Sequence, residues 1–173
     1  MTRDPEAFKH YKAMAEHTYN GIDNVFFVNR LNIPKVKTTK TPYIVLNFDE
    51  PKHNSIRKEL EARFKDRNII YTNHKPYPYS NIKKMVDKGI MCSDQPLDYL
   101  FVYANAEEVY SDRVHACIPT LSFGNKCRLY SDSPRIALFE NVDLYDIQKE
   151  LTQIDNLQSR QEKQIEFLKN ILI

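Results

Sequence analysis

Residues 43–48, YIVLNF, form a near-continuous apolar, β-branched run with Pro42 in front and Asp49-Glu50-Pro51 behind. A short strand of that make-up reads as covered on both faces, the condition of a central strand in a parallel sheet. A parallel neighbour cannot be reached by a tight turn and requires a crossover of a dozen or more residues, usually a helix. The run therefore commits the chain to strands alternating with helices.

The flanking pattern agrees. Asn54 is placed as an N-cap, Ile56, Leu60 and Phe64 step by four behind it, and Lys58 and Glu59 fall on the wet side. A strand is expected at 68–72, a loop at 73–80 around Pro76 and Pro78, and a helix at 81–88. A second helix is expected at 96–105, with Leu97, Leu100 and Phe101 as its inner face. Then come a strand at 108–111, a helix at 113–123 closed by Gly124, and a strand at 126–130, a β-α-β unit. Before the central run, Asp4-Pro5 opens a helix over 6–16 on Ala7, Phe8, Tyr11, Met14 and Ala15. Asn20-Gly21 turns it into a buried strand at 22–28, and 29–42 reads as an exposed connection. After the last strand, a short helix at 134–139 leads to a long one over 144–173, where Leu144, Ile147, Leu151 and Ile154, then Ile165, Leu168 and Leu172, follow three-four spacing around polar Gln158 and Gln161. The expected fold is a single α/β Rossmann-like domain with a parallel sheet and helices on both faces, 1–143, plus a C-terminal helix, 144–173.

Composition narrows the function. With 173 residues the chain suits one domain. Its 25 Lys+Arg against 23 Asp+Glu leave a net charge of +2, too even for a nucleic-acid footprint. A mean hydropathy of -0.59 and the lack of any apolar run near the ~20 residues of a membrane span predict a soluble, cytoplasmic protein. Cys92, Cys117 and Cys127 contain no C-x-x-C pair and read as free thiols of a reducing compartment. Three glycines cannot build a Gly-rich phosphate loop, and no metal site is expected.

Ser111-Asp112-Arg113-Val114-His115 falls where a strand ends and a helix begins. In open α/β sheets ligands bind outside the carboxyl ends of the strands, and a helix N-terminus there adds N–H groups and partial positive charge. Arg113 supplies a planar fork for a carboxylate or phosphate, and His115 a proton near neutral pH. The same residues also read as structure: Arg113 paired to Asp112 or a neighbouring carboxylate, and His115 a satisfied core histidine. Arg3, beside the capping Asp4, and Arg135, after Ser131-Asp132-Ser133-Pro134, are two further cations at strand-to-helix or helix-entry positions. Asp49 and Glu50 read as an acidic turn leading a helix, while His10, His17, His53 and His74 read as scattered surface residues.

The string at 109–135, VYSDRVHACIPTLSFGNKCRLYSDSPR, resembles the polysaccharide pyruvyl transferase family, whose members carry (T/S)-x-R-(L/V)-H-A before a helix that ends near a glycine. The match here is Ser111, Arg113, Val114, His115, Ala116 and Gly124, with Tyr103-Ala104-Asn105-Ala106 resembling the approach to it. Thr2-Arg3-Asp4-Pro5-Glu6 resembles the family's R-D entry, and Gly21-Ile22-Asp23 with Phe26-Phe27 the D-x-A-F strand that follows. The resemblance runs from Thr2 to about Val142.

It implies the second of two Rossmann-like domains of a GT-B-like enzyme, which moves pyruvate from phosphoenolpyruvate to a sugar of a cell-surface polysaccharide as a ketal. On this reading Arg113 and His115 are catalytic, Arg3, Val114, Ser111 and Arg135 bind substrate, the donor is phosphoenolpyruvate, and no cofactor or metal is needed. The first domain would be supplied elsewhere, which makes the chain a fragment, half of a split enzyme or a reduced paralogue. The 144–173 helix is then expected to meet a separate N-terminal-domain polypeptide or a second copy of the chain, or else to pack on its own sheet. Two other readings stand beside this one: a non-catalytic subunit that pairs with a separate first domain, and the nucleotide-sugar half of a glycosyltransferase.

Overall fold

The central strand, β1 (Tyr43–Asn47), is buried at every position and pairs in parallel with a strand on each side. A computed structural model describes residues 1–33, 42–74 and 79–172. Its five strands, β1, β2 (Asn68–Thr72), β3 (Ile90–Met91), β4 (Glu108–Ser111) and β5 (Lys126–Leu129), are parallel in the order β3-β2-β1-β4-β5. The crossover helices are α2 (Asn54–Arg63), α3 (Tyr79–Val86), α4 (Pro96–Asn105) and α5 (Val114–Ser122); α1 (Pro5–Tyr11) precedes them and α6 (Leu157–Leu172) follows. The domain is an α/β sandwich of the Rossmann-like kind.

The alternation of β1 splits the core. Ile44 and Leu46, with Phe48 just beyond, point to one face and pack with Leu60 and Phe64 of the α2 region and with Tyr110. Tyr43 and Val45 point to the other, into a larger core with Val102 and Tyr103 of α4 and Ala116, Ile118 and Leu121 of α5. After β3 the chain returns across β1 to form β4, so the direction of winding reverses between β1 and β4. A crevice opens at such a reversal, outside the carboxyl ends of the two strands.

Four expectations need correction. The segment expected as a strand at 22–28 is a 3₁₀ turn, Asn24–Arg30, because the Asp23 carboxylate accepts from the Val25 N–H at 2.9 Å and caps it. Its Phe26 is fully buried against Phe139, edge to face at 6.4 Å between centroids. The first helix stops at Tyr11, with one 3₁₀ turn after it, and Tyr11 and Met14 stay exposed. In α4 the inner face is Val102, Tyr103 and Ala104, whereas Leu97 is 60% exposed. The long terminal helix begins only at Leu157.

The stretch before α6 explains that last difference. Thr152 makes an antiparallel bridge with Cys127, and Leu129 N–H donates to the Ile147 carbonyl at 2.9 Å, so 144–156 lies along the outer edge of β5. Ile147, Leu144 and Ile154 pack into the larger core while Leu151 packs into the smaller one. The apolar spacing serves a segment that wraps a sheet edge, and covering that edge removes a template for wrong pairing.

Helix α6 then docks on the N-terminal region of its own chain through two buried glutamines. Gln164 Oε1 accepts from the Ile22 N–H at 2.7 Å, and Gln161 Nε2 donates to the Phe26 carbonyl at 2.6 Å. Tyr19 stacks on Phe167 at 4.7 Å. A Cβ at Gly21 would sit 2.4 Å from Gln164 Oε1, so this close approach needs a glycine. Residues 34–41, 75–78 and 173 of the expected loops and helix end lie outside the described residues. No helix among the described residues is long and apolar enough to cross a membrane.

Candidate functional site

The exits of β1 and β4 are tied to each other before any ligand is considered. Register places Asn47 beside Ser111; Ser111 Oγ donates to Asn47 Oδ1 at 2.8 Å and accepts from the Arg113 N–H at 2.9 Å. Asn47 Nδ2 donates to the Thr72 carbonyl at 3.1 Å, extending the tie to β2. Ser111 is fully buried and its hydroxyl is used on the chain itself, so it positions the β4–α5 turn.

Asp112 faces the α2 side of the crevice. Its carboxylate accepts from the backbone N–H of Asp49 at 3.1 Å and of Glu50 at 2.7 Å, and pairs with His53 Nδ1 at 3.0 Å. A buried carboxylate is tolerable only with its lone pairs occupied, and here the chain occupies them. His53, expected at the surface, is buried for this purpose. Asp49 is also buried: its Oδ2 pairs with Arg113 Nε at 2.9 Å and its Oδ1 accepts from the His74 N–H at 3.1 Å. The neighbouring carboxylate that pairs with Arg113 is thus Asp49, and the two carboxylates at 49 and 112 serve the loop.

The α5 side is open. A cavity of about 350 Å³ is lined by Arg113, Val114, His115, Ser131, Ser133 and Arg135, together with His74 and Asp112. Arg113 remains 41% exposed, and its Nη1 and Nη2 make no hydrogen bond among the described residues. The exposed Arg135 guanidinium has no ion pair among them either. Val114 buries its side chain, so its contribution is the backbone: the N–H groups of Val114 and His115 are first-turn donors that the helix leaves unused. His115 is held below its ordinary value of 6.5, first by burial and then by Arg135, Arg3 and Arg113, with Asp23 pulling the other way. Such a set offers two guanidinium groups, two N–H donors and an imidazole to one anion.

Of the residues expected to form the site, the fold brings Arg113, Val114, His115 and Arg135 to this cavity. Ser111 stands behind it. Arg3 is not in its lining: it pairs with buried Asp23 at 2.9 Å and lines a separate cavity, within electrostatic reach of His115. His74 was missed. Its ring stacks on Tyr103 at 5.9 Å, lies 4.8 Å from the Tyr99 ring and bonds the Tyr103 hydroxyl through Nε2 at 2.5 Å. Burial first, then Arg113 and His115, push its pKa down to about 4. The available signal was position: His74 follows the carboxyl end of β2, beside the exit of β1. Beyond it a second cavity, of about 550 Å³, opens between Tyr99, Tyr103, Val25, Val28 and Pro119, with His74 and His115 in both linings. Among the described residues no group of three or more His, Cys, Asp or Glu is placed to hold a metal. All three cysteines are free thiols, and those at 117 and 127 are buried.

No family model matches the sequence, and no curated protein matches it. Among solved structures the chain is similar to the UDP-GlcNAc 2-epimerase of Methanocaldococcus jannaschii, a structure in complex with UDP-GlcNAc and UDP, at 15% identity and a TM-score of 0.47. The likeness covers 88% of this chain and 54% of the epimerase chain, so this chain spans about half of that protein's length, and it concerns the α/β fold alone.

Proposed function

We propose that the chain is the phosphoenolpyruvate-binding half of a pyruvyl transferase, working with a second domain that supplies the saccharide acceptor. The observation that carries the reading is the 350 Å³ cavity, where Arg113, Arg135 and the first N–H groups of α5 converge beside His115. A phosphate fits that donor set, and the R-V-H-A string that builds it is the part of the chain most like the pyruvyl transferase family. In the reaction the enol double bond of phosphoenolpyruvate takes a proton at the methylene carbon, an acceptor hydroxyl adds to the cationic C2 and gives up its proton, and the C2–O bond to phosphate breaks with its electron pair leaving on phosphate. A second hydroxyl then adds to C2 and gives up its proton, which closes the ketal. Arg113 and Arg135 stabilise the departing phosphate, and His115 is the proton donor within reach. Burial first, and then the three arginines, hold the His115 pKa below its ordinary value; an anion that offsets the arginines raises it, so His115 gains proton affinity as the ligand binds.

The aromatic-walled second cavity favours another reading, in which the anion is a nucleoside diphosphate sugar with its ring beside Tyr99. Calorimetric titration of the chain with phosphoenolpyruvate and with a nucleoside diphosphate sugar separates the two. The first reading requires saturable phosphoenolpyruvate binding that is lost in Arg113→Ala/His115→Ala. Tight binding of the nucleotide sugar alone contradicts it. Ketal formation is then tested by adding a first-domain polypeptide and an acceptor saccharide.

A further inference from the structure

His74 sits on the seam between the cationic cavity and the aromatic one, contributing to both linings. Its ring is held by stacking on Tyr103 and packing on Tyr99, while its backbone N–H donates to Asp49, which in turn holds Arg113. The Tyr103 hydroxyl lies 3.3 Å from Thr72 Oγ1 as well as against His74 Nε2. A phenol is a stronger donor than an alcohol, and an imidazole nitrogen a stronger acceptor than a hydroxyl oxygen. Thr72 therefore donates to Tyr103, and Tyr103 donates to Nε2. Burial raises the Tyr103 pKa, which keeps the phenol protonated. An Nε2 that accepts places the ring proton on Nδ1, and Nδ1 makes no hydrogen bond among the described residues. The charged and titratable groups facing the ring are Arg113, His115 and Asp112; burial first, then Arg113 and His115, disfavour a charge on the ring, so it offers this donor without competing for the anion itself.

We propose that His74 is a ligand-binding residue, held by Tyr103 in one tautomer, whose Nδ1–H donates to an oxygen of the ligand lying beyond the anion seated on Arg113 and Arg135. The inference rests on the anion-binding reading and adds a selectivity to it. Inorganic phosphate, seated on Arg113 and Arg135, leaves the His74 side of the cavity unused. A phosphate that carries a further carbonyl, carboxylate or hydroxyl oxygen reaches across the seam and gains a bond.

The test is titration of wild type, His74→Phe and His74→Gln with inorganic phosphate, phosphoenolpyruvate and a nucleoside diphosphate. His74→Phe keeps the ring between the two tyrosines and removes the donor; His74→Gln restores an N–H. The expected result is a loss of about tenfold in affinity for an extended ligand in His74→Phe, partial recovery in His74→Gln, and unchanged affinity for inorganic phosphate. Nitrogen NMR should find Nδ1 protonated and Nε2 bare in wild type, and a mixture of tautomers in Tyr103→Phe. Equal losses for phosphate and the extended ligands assign His74 a structural role and overturn the proposal. If wild type binds an extended ligand and His74→Phe binds it as well, the proposal falls while the anion site stands. If no extended ligand binds more tightly than phosphate, the proposal falls, and failure to bind phosphoenolpyruvate at all overturns the pyruvyl transferase reading with it.

Discussion

Asp112 and Arg113 are adjacent in sequence, at the same strand-to-helix turn, and the fold uses them in opposite ways. The Asp112 carboxylate is buried and fully engaged by the N–H groups of Asp49 and Glu50 and by His53. Arg113 spends one nitrogen on Asp49 and turns the rest of its fork, with Arg135 and His115, to an open cavity. The Asp112 carboxylate is thus spent on shaping the loops, whereas the outer part of the Arg113 fork is left facing the cavity.

The largest effect should come from the Asp112 side. Asp112→Ala leaves two backbone donors and His53 without their acceptor and should cost about 3–4 kcal/mol in urea unfolding, whereas Asp112→Asn, which keeps one acceptor oxygen, should cost about half as much. A loss below about 1 kcal/mol in Asp112→Ala would break the contrast between the two sides. His74, on the seam, comes next. Its pKa is depressed from 6.5 to about 4, so the unfolded chain binds the proton first and stability falls as pH drops through that window. The fall should reach at most about 3 kcal/mol, and the His74→Phe variant should show a flatter profile over the same range.

The open side should respond in binding and not in stability. Arg135→Ala is expected to weaken phosphoenolpyruvate binding about tenfold by calorimetry and to leave the unfolding midpoint unchanged, since the exposed guanidinium makes no ion pair among the described residues. Smallest, and sharpest as a diagnostic, is the proton. Phosphoenolpyruvate binding near neutral pH should take up a fraction of a proton, read as a binding enthalpy that varies with the ionisation enthalpy of the buffer. His115→Gln should remove the variation.

The sheet was legible because its strands are short apolar runs between strong breakers, and β1, β2, β4 and β5 fall where periodicity puts them. The two-residue β3 carries no periodicity to read, and Ile22–Val28 composition favours a strand that a single carboxylate, Asp23, overrides by capping a 3₁₀ turn. The three-four spacing of 144–154 has two physical solutions, a helix or a segment wrapping a sheet edge into two cores, and only tertiary contacts choose between them. Gln161 reads with Gln158 as a polar break in the helix, yet Gln161 and Gln164 are the docking face of α6, since a buried amide is satisfied by backbone groups far away in sequence. The R-V-H-A string marks Arg113 and His115 as candidates through a local motif, and the fold brings both to one cavity. His53 and His74 gain their roles from Asp112 and Tyr103, partners 59 and 29 residues away, which no local spacing shows.

The most direct test of the central claim is a crystal structure of the chain grown with phosphoenolpyruvate. The account predicts the phosphate seated between Arg113, Arg135 and the N–H groups of Val114 and His115, with the rest of the molecule directed to His74. Phosphoenolpyruvate bound elsewhere on the chain, with the cavity between Arg113 and Arg135 empty, would contradict it.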